Sequence, residues 1–146
     1  MITQLTNCLV AIDGSEPAWR ALHVAVAITK EHCGALTVIT VGVALSHREL
    51  AEFRQAEGDD AEASEVIAER LLVEASERAE PVIGKPVKRL LRWGDPAEAI
   101  IKAIAEEKFD AIVMGRRGRG QLSGLLLGSV SQKLASLAPC IVVIVP

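Results

Sequence analysis

Two glycines three residues apart, Gly115 and Gly118, are followed after nine residues by Gly128-Ser129, and the segment leaves the apolar, strand-like run Ala111-Ile112-Val113-Met114. Glycines at a strand exit let backbone N–H groups come close to a ligand. A serine opening the next helix adds a hydroxyl beside that helix's positive end. The chemistry this suits is the cradling of phosphate. Arg116, Arg117 and Arg119 stand in the loop, and with Lys133 they give residues 111–146 a local charge of +4 without an acid, although the chain as a whole carries −3. A second position of interest is Asp13, which closes the apolar run Cys8–Ile12 ahead of Gly14-Ser15. In open α/β sheets ligands bind at the carboxyl ends of strands where the winding reverses. If the first and fourth strands are neighbours there, a carboxylate and a cationic glycine loop flank one crevice. A polar nucleoside with an anionic tail fits that opposition.

The better-known nucleotide signatures fail. Gly115 to Gly120 satisfies G-x-x-x-x-G, but Gln121-Leu122 replace the Lys-Ser/Thr that a P-loop uses on β/γ-phosphates and magnesium. Gly118-Arg119-Gly120 begins a G-x-G, yet Gly124 comes one residue late for the dinucleotide fingerprint.

The elements that must hold these residues follow from composition and periodicity. A chain of 146 residues makes one domain, residues 1–146, with a self-standing core. Half of its residues are hydrophobic but only 3% are aromatic, so the core is built of Ala, Val, Ile and Leu, as in a buried parallel sheet. Strands are expected at Cys8–Ile12, Leu36–Val43, Val87–Trp93, Ala111–Met114 and Ile141–Val145. Between them lie four helices. The first is capped by Ser15 with Pro17 in its first turn and stops at Gly34; the second carries the stripe Val66, Ile67, Leu71, Leu72, Ala75 and ends near Ala79, before Pro81 and Gly84. The third is capped by Asp95 and closes near Lys108, and the fourth runs from Ser129, as its cap, to Leu137. Layer and handedness rules fold this order into an α/β unit: an open five-stranded parallel sheet with helices on both faces. The run Ile141–Val145 is apolar throughout, so both faces should be covered. As the terminal strand it is expected at an edge, which then needs a partner.

Cys8, Cys33 and Cys140 are widely spaced and match no metal or redox motif, and are expected as small buried hydrophobes; His23, His32 and His47 offer no metal-binding pair. Trp19 and Trp93 read as packing residues rather than as platforms for a base. Nucleic acid is not an expected partner, because basic residues are few and residues 44–80 carry a local −7. No apolar run approaches the length of a membrane span and the first residues lack a secretory pattern, so a cytoplasmic protein is expected.

The chain resembles the universal stress proteins. Gly115-x-x-Gly118-x9-Gly128-Ser129 matches that family's ATP-binding signature at each defined position; Val130-Ser131, Ala138-Pro139-Cys140 and the apolar last strand look like its usual ending. The likeness extends to Val10-Ala11-Ile12-Asp13-Gly14-Ser15 and to Gly94-Asp95-Pro96, so it covers essentially the whole length. The resemblance implies a sheet ordered 3-2-1-4-5, of the adenine nucleotide alpha hydrolase-like type. It also implies an ATP site, in which Asp13 faces the nucleoside and the backbone of Val41 meets adenine. Gly115 and Gly118 would cradle the phosphates with Arg116 and Arg117 between them, and Gly128, Ser129, Val130 and Ser131 would supply donors at the helix start. Ala11 and Met114, at their strand ends, join the set. Magnesium or manganese would accompany the phosphates, and homodimers would form through Ile141, Val142, Val143, Ile144 and Val145.

The function this implies is a nucleotide-dependent sensor or regulator in the stress response. Catalysis is a separate matter, because no Glu, Asp or His lies between Gly115 and Pro146 to orient a nucleophile. Two rivals stand: a slow ATP hydrolase or phosphotransferase using Asp13 across the crevice, and a dimeric interaction scaffold that binds AMP or a cyclic adenine nucleotide.

Overall fold

The apolar runs become five strands: β1 (Asn7–Ala11), β2 (Ala35–Gly42), β3 (Lys88–Trp93), β4 (Ala111–Gly115) and β5 (Ile141–Val145). The computed structural model describes residues 4–42, 63–117 and 128–146. Within them the strands alternate with α1 (Glu16–Glu31), α2 (Ala63–Ile83), α3 (Pro96–Glu107) and α4 (Ser129–Leu137). All pairings are parallel and the order is β3-β2-β1-β4-β5, the expected α/β sheet. Because side chains alternate across a strand, each strand feeds two cores. Cys8, Val10, Leu36, Val38 and Val113 meet Ala21, Leu22 and Ala25 of α1 and Leu72, Ala75 and Ala79 of α2. On the other face Leu9, Ile39, Leu90 and Ile112 meet Ile100, Ala103 and Ile104 of α3 and Leu134 of α4. Among the described residues no helix is long and apolar enough to cross a membrane.

The amino-terminal rim of the sheet is stitched together. Asp110 Oδ2 accepts from the Thr6 amide at 3.0 Å, the Asn7 amide at 2.9 Å and the Thr6 hydroxyl at 3.2 Å. The Ala35 amide donates to Thr6 O at 2.8 Å, and the Ile141 amide to Asp110 O at 3.2 Å. Four strands are thereby tied where they begin.

Several local expectations are corrected. Helix α1 does not stop at Gly34: His32 is its C-cap and Cys33 takes the left-handed conformation at φ 52°. Gly34 serves a different purpose, since a Cβ there would lie 2.7 Å from Thr6 O. Helix α2 runs through Pro81 to Ile83, because Pro81 lies exposed in the last turn, where the carbonyl it leaves unpaired can face water. Gly84, at φ +82°, ends it by donating to Glu80 O at 2.8 Å. Ser129 is the first helical residue of α4 rather than its cap; Gly128 holds the cap position. The cysteines are not all buried: Cys8 is, Cys140 is partly covered, and Cys33 is exposed. Burial, with Cys140 nearby, pushes the Cys8 thiol up to about 11. The faces of β5 are not fully covered within one chain, because it lies outermost in the sheet: Val142 to Val145 are half-buried and Ile141 is 47% exposed.

Candidate functional site

In a parallel sheet all strands end on one rim, and the winding reverses between β1 and β4. Asp13 follows β1 and Gly115 ends β4, so the acid and the glycine loop flank the same notch. Their closeness has a packing cause: a Cβ on Gly115 would lie 2.7 Å from Pro17 Cβ and 2.9 Å from its carbonyl carbon. Only glycine lets the exit of β4 rest against the first turn of α1. Sequence reading assigned that glycine to the ligand and missed the contact, which joins residues far apart in the chain.

On the β1 side, Asp13 Oδ1 accepts from the Ser15 amide at 2.9 Å and the Ser15 hydroxyl at 2.5 Å. Ser15 Oγ in turn accepts from the Ala18 amide at 3.3 Å, and with Pro17 in the first turn α1 is capped as expected. Gly14, at φ +86°, makes this turn possible. Asp13 therefore shapes the turn as well as standing at the crevice.

On the β4 side, the Arg116 amide donates to Val145 O at 2.6 Å and its carbonyl accepts from the Gly128 amide at 2.9 Å. The Ser131 hydroxyl, in a residue only 2% exposed, reaches Gly115 O at 3.0 Å and Arg116 O at 2.8 Å. Ser131 thus braces the loop from within. Gly128 has no side chain with which to cap α4, so among the described residues no side chain caps the first turn of that helix or its partial positive charge. Ser129 is exposed and Val130 partly buried beside them. Arg116 and Arg117 are partly buried and directly follow Gly115, while Gly118 and Arg119 lie outside the described residues.

Ala11, Val41 and Met114 share the face covered by α3 and α4, and Val130 packs against the same cluster. The β1–β2 ladder ends at Ala11 and Ile39, and Ile39 O accepts from the Ile12 amide at 2.9 Å. Two residues on, Val41 turns its own N–H and C=O to that same side, past the last paired residue of β1. The Val41 carbonyl thus points to the β1 side, beyond the residues of β1 that pair with β2. The structure therefore brings the expected residues it describes onto one rim: an apolar floor, an acid, and a helix N-terminus beside two arginines. That arrangement can hold a molecule with a flat apolar part, a hydrogen-bonding edge and an anionic tail.

Known proteins share the fold and much of the sequence. The universal stress protein family model matches residues 5–146. The "Universal stress protein in QAH/OAS sulfhydrylase 3'region" of Thermus aquaticus is 38% identical over 145 residues, covering 94% of this chain and 96% of the relative. Universal stress protein UspA from Lactobacillus plantarum superposes with a TM-score of 0.81 at 23% identity, covering 99% of this chain and 100% of the other, a likeness of fold. A universal stress protein solved in complex with cAMP superposes at 0.73 with 25% identity and 99% of each chain covered. Fold and sequence agree along nearly the whole length, and the chain belongs to the universal stress protein family.

Proposed function

We propose that the chain binds an adenine nucleotide at this rim, with ATP as its ligand, and acts in the cytoplasm as a nucleotide-dependent regulator of the stress response. The observation that carries the reading is the start of α4. A helix N-terminus with glycine at its cap faces the strand reversal beside Arg116 and Arg117, which suits an anionic tail. The amide edge of Val41 suits adenine, and Asp13 the sugar. Gly118, with Gly115, completes the phosphate loop in this reading; the Gly128 amide is taken by Arg116 O, so Ser129 and Val130 contribute the backbone donors. A magnesium or manganese ion would travel with the phosphates, with Asp13 as the carboxylate at hand, and would supply charge neutralisation.

Calorimetry tests this. ATP should bind more tightly than AMP, and Arg116→Ala should weaken ATP by about 1.5–3 kcal/mol, the worth of one charge-assisted contact. Equal affinity for ATP and AMP would overturn the polyphosphate reading. The relative solved with cAMP supports a second reading, a cyclic-nucleotide scaffold. In that case cAMP outcompetes ATP and Arg116→Ala changes little.

The half-covered apolar edge at β5 supports homodimerisation through Ile141, Val142, Val143, Ile144 and Val145. Sedimentation of a monomer at micromolar concentration would overturn that part.

A further inference from the structure

We infer that Trp93 is a positioning residue for the nucleobase end of the crevice, its indole clamping the peptide that carries the Val41 carbonyl; this rests on the adenine-nucleotide reading above. Trp93 and Gly42 are register partners at the ends of β3 and β2, so the indole and the vacant side-chain direction of Gly42 lie on the same face. A Cβ on Gly42 would fall within 2.7 Å of three ring carbons, Cε3, Cζ3 and Cη2. The φ of Gly42 lies outside the left-handed region, so its backbone does not demand glycine. The ring does.

The cost of this arrangement shows where it matters. Trp93 is 51% exposed, an unusual place for a large aromatic, whereas Trp19 packs against the core beneath the Arg78 guanidinium. The mount of Trp93 is firm on its own side: Gly94 turns the chain at φ +110°, and Asp95 caps α3 by accepting from the Glu98 amide at 3.0 Å. Glycine at the end of β2 leaves the Val41–Gly42 peptide held by the last rung of the β3 ladder alone, with no side chain of its own to pack it. That peptide holds the Val41 carbonyl in its plane, and the amino group of adenine needs that acceptor at a fixed angle. An indole lying on Gly42 removes the freedom that glycine brings.

The test compares ATP, inosine triphosphate and inorganic tripolyphosphate by calorimetry. Inosine carries an oxo group where adenine carries its amino group, so the ratio of the first two reads the Val41 carbonyl. Tripolyphosphate reads the α4 end alone. Trp93→Ala should weaken ATP by about tenfold and shrink the preference for ATP over inosine triphosphate, leaving tripolyphosphate unchanged. Trp93→Phe should restore most of the preference. Gly42→Ala should impair ATP binding when Trp93 is present and be neutral or helpful with Trp93→Ala, since only the ring opposes the methyl group. Thermal melts confirm that each variant is folded. Unchanged selectivity in Trp93→Ala, or equal loss of all three ligands, would overturn the inference while leaving the binding site itself in place. A wild-type protein that binds none of the three would overturn the nucleotide reading, and this inference with it.

Discussion

The two rims of one sheet are built on opposite plans. At the amino-terminal rim, polar groups are spent on one another: a single carboxylate oxygen of Asp110 gathers three donors, and Gly34 presses on the Thr6 backbone. At the carboxyl rim, two helices are sealed by Ser15 and Asp95, but α4 opens behind a glycine that cannot cap it. The difference teaches how a small domain separates stability from binding. Groups that hold the fold are satisfied internally, and the groups proposed to receive a nucleotide are clustered at one notch.

The contrast can be broken at several points. The largest effect is expected beneath the stitched rim, where the Cys8 thiol is raised from its ordinary 9.0 to about 11 by burial. The unfolded chain sheds that proton first, so this contribution is complete below pH 9 and is lost as pH rises through 11, on the order of 2–3 kcal/mol. Urea melts at pH 8 and 11 should show the loss, and Cys8→Ala should flatten it relative to the parent. Next, Asp110→Ala removes the acceptor of three hydrogen bonds and should cost about 2 kcal/mol of stability while leaving ATP affinity intact. A drop in affinity there would mean that the rims are not independent.

Ser129→Asp makes the open helix resemble the sealed ones. A carboxylate in the first turn favours the helix by about 0.3–1 kcal/mol, so melting should hold or rise. Nucleotide affinity should fall about tenfold, ~1.4 kcal/mol, because the charge meets the phosphates. The smallest effect should come from Asp95→Ala, which loses a cap and an exposed pairing with Lys133 at 3.8 Å, costing about 1 kcal/mol of stability.

Much of the fold was legible because its signals are local. Runs such as Ile141–Val145 and cap-proline pairs such as Asp95-Pro96 announce their elements within a few residues, whereas the strand order came from resemblance rather than periodicity. What escaped depends on contacts between distant segments. The glycine at 115 is required by Pro17, the one at 42 by Trp93, and the one at 34 by Thr6, and no spacing rule announces such pairs. The sequence offered the Ser131 hydroxyl to the ligand, but the structure turns it inward onto the Gly115 and Arg116 carbonyls, through burial that only the packed helix creates. The C-cap of α1 escaped because Cys33 adopts a conformation that propensity assigns to glycine.

One consequence concerns Arg116, whose amide is engaged by Val145 and whose carbonyl is shared by Gly128 and Ser131. With both main-chain groups occupied, this position can speak to a guest only through its guanidinium. Its chemistry is therefore exchangeable: lysine, glutamine or a neutral residue could be installed there to retune charge, and the architecture around it would not have to be redrawn.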